Sequence, residues 1–203
     1  MGLSLFQFKY VILKTIYEVL SPISLILFSE LTGRYFYYLI CTMASNYKTK
    51  IVSTSVELEN IIKLRVEVFV LEQSVPAIEE IDALDTLQAI KSGRVIHVMV
   101  SESKLAVGTA RLVLEGSKPG SGKIPDLPHI GRVAVKKTTR RKGIGEILMV
   151  ELQQLARTMG FRGVTLSAQS QAAPFYTQLG YSARGPVYDD VGIPHQDMDL
   201  FFD

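Results

Sequence analysis

Apolar side chains return every third or fourth residue at Ile144, Leu148, Leu152, Leu155 and Met159, while Glu146, Gln153, Gln154 and Arg157 fill positions between them. A period near 3.6 puts the first set on one stripe, so the pattern predicts an amphipathic helix over residues 144–159 with one face on a core. Gly160 follows where a left-handed C′ residue would end it. A second helical run opens with Thr54-Ser55-Val56-Glu57, a capping box in which hydroxyl and carboxylate serve each other's backbone N–H. It continues through Leu58, Ile61, Ile62, Leu64, Val66, Val68 and Phe69 until Pro76 stops it. Residues 95–101 and 105–114 alternate or run apolar around a short turn and predict two strands. Residues 130–135 and 164–168 predict two more strands, 174–179 a short helix, and the Gly- and Ser-rich 116–122 a surface loop. The order is that of an α/β domain, without internal repeats.

This patterning starts only after residue 53. Residues 1–42 are rich in Leu, Ile, Phe and Tyr, and residues 44–50 are polar. The expected organisation is an apolar extension over 1–42, a linker over 43–52 and one domain over 53–203. A bilayer span needs about 20 apolar residues, and Lys14, Glu18, Glu30 and Arg34 interrupt every such window, with Pro22 a further break. Neither a secretory leader nor an Arg- and Ser-rich, acid-poor transit peptide matches this stretch well. Four readings of it stay open: an interfacial membrane segment, an organelle-targeting segment, a packed or disordered tail, or sequence upstream of a functional start at Met43.

Composition narrows the class. The chain has 203 residues, 47% of them hydrophobic and 21% charged, enough for one core with an appendage. Net charge is only +2, and basic residues gather at Lys136-Lys137 and Arg140-Arg141-Lys142 rather than covering a face. That distribution points to a local anion and away from nucleic acid. Cys41, the single cysteine, excludes an internal disulfide and has no His or Cys motif with which to build a metal site or thiol nucleophile. No metal is expected, and a reducing compartment, the cytoplasm, is the expected location.

The basic cluster lies between the strand ending Val133-Ala134-Val135 and the start of the 144–159 helix. First-turn N–H groups there have no intrahelical partner, and the helix dipole adds partial positive charge. Gly143 and Gly145 let a bulky anion approach the backbone, while Arg140, Arg141 and Lys142 attract it, so the loop is a candidate pyrophosphate cradle. It is not a Walker loop, since no Gly-x4-Gly-Lys-Ser/Thr run exists. It is not a dinucleotide fingerprint either, because Leu148 stands where the third glycine belongs and Val164, Thr165 and Leu166 where an acidic residue would follow. A plain basic turn between strand and helix remains the alternative.

Arg140-x-x-Gly143-x-Gly145 resembles the acetyl-CoA loop, Gln/Arg-x-x-Gly-x-Gly/Ala, of the GNAT superfamily of N-acetyltransferases. Gln169-Ser170-Gln171-Ala172-Ala173-Pro174-Phe175-Tyr176-Thr177-Gln178-Leu179-Gly180-Tyr181 resembles its second signature, a short helix ending in Phe-Tyr-x-x-x-Gly-Phe/Tyr, with Gln169 where many members carry Asn. Glu67 to Gln73, Glu80-Ile81-Asp82-Ala83-Leu84-Asp85 and Gly192-Ile193-Pro194-His195 look like the ElaA/YjcF-like branch. The resemblance runs from about residue 52 to 199. It implies a mixed, twisted sheet flanked by helices, with the strands bearing Val133 and Val164 splayed so that the arm of acetyl-CoA enters between them. It further implies that the backbone of Val133, Ala134 and Val135 and the amide of Gln169 contact that arm, and that residues 140–145, Ile144 included, hold its pyrophosphate.

The implied chemistry is direct attack of a neutral primary amine on the acetyl thioester, without a covalent enzyme intermediate. One group must take the amine's proton and another must serve the departing thiolate. Tyr176 matches the family position of the acid and, with a reference pKa near 10, is protonated at neutral pH. Its alternative is a core aromatic. Glu79, Glu80, Asp82 and Asp85 lie near the acceptor cleft in the resemblance, yet read equally as a solvated loop. His195 is a candidate relay or substrate contact, and His97, between Ile96 and Val98, reads as a sheet residue. Arg111 and Arg132 lie in strands, where a buried ion pair or a contact to an acceptor carboxylate both remain open. Two readings of another class compete with the enzyme: an acyl-CoA-binding module without turnover, and a membrane-attached protein that acts through residues 1–42.

Overall fold

The computed structural model describes residues 47–202. The extension expected over residues 1–42, with its proposed membrane contact, lies outside the described residues. In chain order, β1 is Tyr47–Ile51, α1 Ser55–Arg65, α2 Ala77–Glu80, α3 Leu87–Lys91, β2 Val95–Glu102, β3 Leu105–Val113 and β4 His129–Val135. Then come α4 Ile144–Thr158, β5 Gly163–Gln169, α5 Ala173–Gln178, β6 Ser182–Asp190 and β7 Ile193–Phe201. The seven strands form one sheet in the order β1-β2-β3-β4-β5-β7-β6. Only β4 and β5 run parallel among the pairs from β2 onward.

The capping box forms as expected: the Thr54 hydroxyl accepts from the Glu57 N–H at 3.3 Å and the Glu57 carboxylate accepts from the Thr54 N–H at 3.2 Å. The helix that follows does not stay α-helical to Pro76. It widens at Val66–Glu72 into a π-helical stretch, which shifts the side-chain period and turns Phe69 and Gln73 toward the sheet's centre.

Helices cover both faces. Met99 on β2 joins Val52, Leu58 and Ile61 in a core under α1. Its neighbour Val100 points the other way, as strand alternation requires, toward Gly108 on β3 and the start of α4. At Gly108 any Cβ would collide with Ile144, so the helix sits directly on the strand. Of the stripe that the periodicity predicted, Ile144, Leu148 and Leu152 are buried, Leu155 is half-buried and Met159 is exposed, with Ala156 taking the buried position in the last turn.

Three elements depart from the sequence reading. Residues 47–51, expected as linker, form an edge strand beside β2, and Ser101 Oγ donates to the Lys48 carbonyl at 3.3 Å. Residues 182–190 and 193–201, given no element, form a β-hairpin that completes the sheet beyond β5. β6 is exposed along its whole length, so it carries no alternating apolar signal.

Candidate active site

The sheet opens at its centre. β4 and β5 pair only at His129 with Thr165 and Ile130 with Leu166. Beyond that they diverge, and the edge of β4 from Gly131 to Val135 faces no partner strand on the β5 side. The divergence coincides with a bulge: Thr109 pairs with Ala134 and Arg111 with Gly131, so two residues of β4, Arg132 and Val133, stand opposite Ala110 alone. Arg132 adopts a left-handed φ of 52°, a conformation that costs a side chain with a Cβ roughly 1–2 kcal/mol.

A cleft of about 500 Å³ occupies the opening. Gly131, Arg132 and Val133 of β4 and Leu166, Ser167 and Gln169 of β5 form its walls. Phe69 and Gln73 close one side, and Asp190, Val191, Ile193 and His195 of the β6–β7 turn close another. Tyr176 reaches it from α5, only 8% exposed, and packs edge-to-face on Phe175 and Tyr181 with ring centroids 5.0 and 5.9 Å away. Burial pushes the Tyr176 phenol up to about 12, and its hydroxyl has no hydrogen-bond partner among the described residues.

His195 is buried, and its Nδ1 lies 2.8 Å from the Ile193 carbonyl. A carbonyl only accepts, so Nδ1 carries the proton and Nε2 of the neutral ring keeps its lone pair. His129, which the sequence reading passed over, also lines the cleft. Burial holds it below the usual imidazole range. Between Pro128 and Ile130 it gave no signal, because its role depends on where β5 leaves β4. Gln169 donates to Gln73 Oε1 at 2.8 Å and accepts from Gln171 at 3.1 Å, tying the end of β5 to the π-helical turn.

The basic loop sits at the start of α4, whose first turn no side chain caps. Gly143 is left-handed at φ 79° with nothing within 4 Å of where its Cβ would be, so its backbone is open to a ligand. Gly145 has a packing reason instead: its Cβ would lie 3.3 Å from the Phe175 ring, holding α4 close to α5. Arg141 and Lys142 are exposed and form no ion pair with a carboxylate among the described residues; Arg140 differs from them. Its fork donates to Glu72 at 2.6 and 2.7 Å and its Nε to the Val135 carbonyl at 3.0 Å. Of the three cations, Arg140 therefore ties β4 to the π-helical turn and leaves Arg141 and Lys142 as the loop's open charges.

The acidic stretch is placed quite differently. Arg65, 1% exposed, donates to Glu80 at 2.5 Å and to both Asp85 oxygens at 2.5 and 2.9 Å. Arg111 forks onto Asp82 at 3.0 and 2.6 Å and lies 3.6 Å from Asp85. Arg132 lies 3.0 Å from Glu80. Burial alone would raise the Asp82 and Asp85 pKa values, but the arginine hydrogen bonds hold both below the usual carboxylate range. Asp85, its side chain fully buried, lies between two guanidiniums, while Arg111 commits its fork to Asp82 and keeps a buried Nε that has no hydrogen-bond partner among the described residues. Glu79 and Glu80 line the cleft, but Glu80 is engaged by Arg65 and Arg132.

A splayed parallel pair, a bulge at the splay and an open glycine loop at the next helix form one arrangement. The family model for the acetyltransferase (GNAT) domain matches residues 66–202. This chain belongs to the GNAT acetyltransferase family. It is 36% identical over 152 residues to the uncharacterized N-acetyltransferase YjcF of Bacillus subtilis, covering 74% of this chain and 97% of YjcF. Among solved structures, an acyl-CoA N-acyltransferase from Pseudomonas aeruginosa aligns with TM-score 0.62 and 30% identity, over 75% of this chain and 98% of its own. Escherichia coli ElaA aligns with TM-score 0.62 and 25% identity, over 75% and 98% of the two chains. The GNAT fold accounts for the seven-stranded mixed sheet and for the hairpin that the sequence reading did not anticipate.

Proposed function

We propose that this protein transfers an acetyl group from acetyl-CoA to a primary amine by direct attack. The observation that carries the proposal is the opening between β4 and β5, which leads from the free edge of β4 to a cleft holding Tyr176 and His195. The residues fit the cofactor: Gly143, Arg141, Lys142 and the uncapped turn of α4 suit its pyrophosphate, and the edge from Gly131 to Val135 offers hydrogen bonds to its pantetheine arm. Bound there, acetyl-CoA supplies an activated thioester. Backbone N–H groups at the Arg132–Val133 bulge polarise its carbonyl. His195 Nε2, held in the accepting tautomer, takes the amine's proton directly or through water. The Tyr176 hydroxyl, fully protonated at neutral pH, donates a hydrogen bond toward the sulfur. A phenol near 12 is a weaker acid than an ordinary thiol near 8.5, so its part is stabilisation of the thiolate rather than complete proton transfer.

Calorimetric titration with acetyl-CoA and with desulfo-CoA tests the cofactor site before any acceptor is known. Binding of both is expected, followed by CoA release with members of an amine panel; a folded protein that binds neither refutes the proposal. Tyr176→Phe is expected to lower kcat by about 10²-fold with acetyl-CoA affinity nearly unchanged. An unchanged kcat returns Tyr176 to the core.

A further inference from the structure

The acidic motif and the bulged strand meet at one residue. Arg132 is the left-handed residue of the bulge, and its side chain turns back onto the acidic stretch. Its Nη2 donates to the Glu79 carbonyl at 2.7 Å, its Nε to the Glu80 carbonyl at 3.2 Å, and its guanidinium lies 3.0 Å from the Glu80 carboxylate. Glu80 does not move independently, because Arg65 beneath it grips both its carboxylate and its carbonyl. Arg65 is in turn fixed by Asp85. A chain of paired charge thus runs from the buried Arg65 of α1 through the acidic stretch to the half-buried Arg132, the one strained position of β4. Strained backbone of this kind persists only where its surroundings over-determine it.

Resting on the acyl-transfer reading above, we propose that Arg132 is a positioning residue. Its clamp on Glu79 and Glu80 holds the β4 bulge in the conformation that aims backbone N–H groups at the thioester carbonyl. Glu80 and Asp85 then serve the reaction from behind the strand, as the anchor of the clamp, rather than by holding the acceptor amine. This gives the Glu80-to-Asp85 motif a catalytic consequence although Asp85 does not line the cleft.

The clamp and the strain oppose each other, and two substitutions separate them. Arg132→Ala removes the clamp and keeps the strain. Arg132→Gly removes both, since glycine adopts the left-handed conformation freely. A role for Arg132 as a charge acting on substrate predicts equal damage from the two. Positioning predicts that Arg132→Ala lowers kcat by about 30-fold or more with the acetyl-CoA KM nearly unchanged, and that Arg132→Gly regains about tenfold of that loss. The second readout is the infrared carbonyl frequency of acetyl-CoA labelled with ¹³C at the carbonyl, measured on the bound ligand. Wild type should lower it relative to free acetyl-CoA, Arg132→Ala should return it toward the free value, and Arg132→Gly should lower it again. If Arg132→Ala does not fold, Arg132→Lys replaces it, strained but without the fork, and the expected order is Gly above Lys. Equal kcat loss in both variants, or a bound carbonyl frequency unchanged from wild type, overturns the clamp while leaving acyl transfer intact. Wild-type protein that binds no acetyl-CoA overturns both.

Discussion

Residues 79–85 and 140–145 are two short charged clusters of opposite sign, and the fold treats them in opposite ways. The acidic cluster is neutralised from within: Arg65, Arg111 and Arg132 meet Glu80, Asp82 and Asp85, and most of these groups are removed from water. The basic cluster gives up only Arg140, to Glu72, and leaves Arg141, Lys142 and the left-handed Gly143 open before an uncapped helix. A run of charge stays open to solvent and ligands where the fold withholds its partners, and becomes a structural element where distant residues supply them.

The largest expected effect tests the internal side. Asp85→Ala leaves Arg65 buried with half its fork unpaired, and loss of one partner of a buried pair costs about 3–5 kcal/mol. Urea unfolding should show a loss of that size; a stable variant with an impaired amine KM would return Asp85 to the acceptor site. Next is pH. His97 is buried beside this network, 3.9 Å from Asp85, and burial pulls its pKa down to about 4. The unfolded chain then binds the proton more readily between about 4 and 6.5, so stability falls as pH drops through that window. Melting temperature should decline from pH 6.5 to 4, and less steeply in His97→Gln. Equal slopes would show that His97 carries no part of it.

The smaller effects probe the open side. Gly143→Ala introduces no collision in the protein, so its cost is the left-handed strain of about 1–2 kcal/mol together with crowding of the ligand. Acetyl-CoA affinity should fall about tenfold or more by titration. Unchanged affinity would make the glycine a matter of backbone geometry alone. Replacing both Arg141 and Lys142 by Ala should weaken binding by about threefold to tenfold at low salt, with the difference shrinking as ionic strength rises. A loss independent of salt would mean direct, desolvated contacts instead of long-range attraction.

Much of this was legible in the chain. The helix at 144–158, the capping box at Thr54, the strands β2 to β5 and the glycine loop all rest on spacings within a dozen residues, and each appears where periodicity placed it. The hairpin of β6 and β7 was missed because β6 has no buried side and β7 carries His195, Asp197 and Asp199 on one face. The widening at Val66–Glu72 was not anticipated either, because Val66, Val68 and Phe69 read from the sequence as one continuing apolar helical run.

The acidic stretch marks the boundary between what the sequence determined and what the tertiary structure decided. Its composition is plain in the chain, but its meaning depends on Arg65, 15 and 20 residues before Glu80 and Asp85, and on Arg132, 52 residues after Glu80. Local patterns follow from backbone geometry, which repeats every two or 3.6 residues, and so the sequence alone specified the capping box, the long helix, strands β2 to β5 and the glycine loop before that helix. Which charges neutralise one another, and which stay open, follows from distances that exist only once the sheet has brought α1, β3 and β4 together.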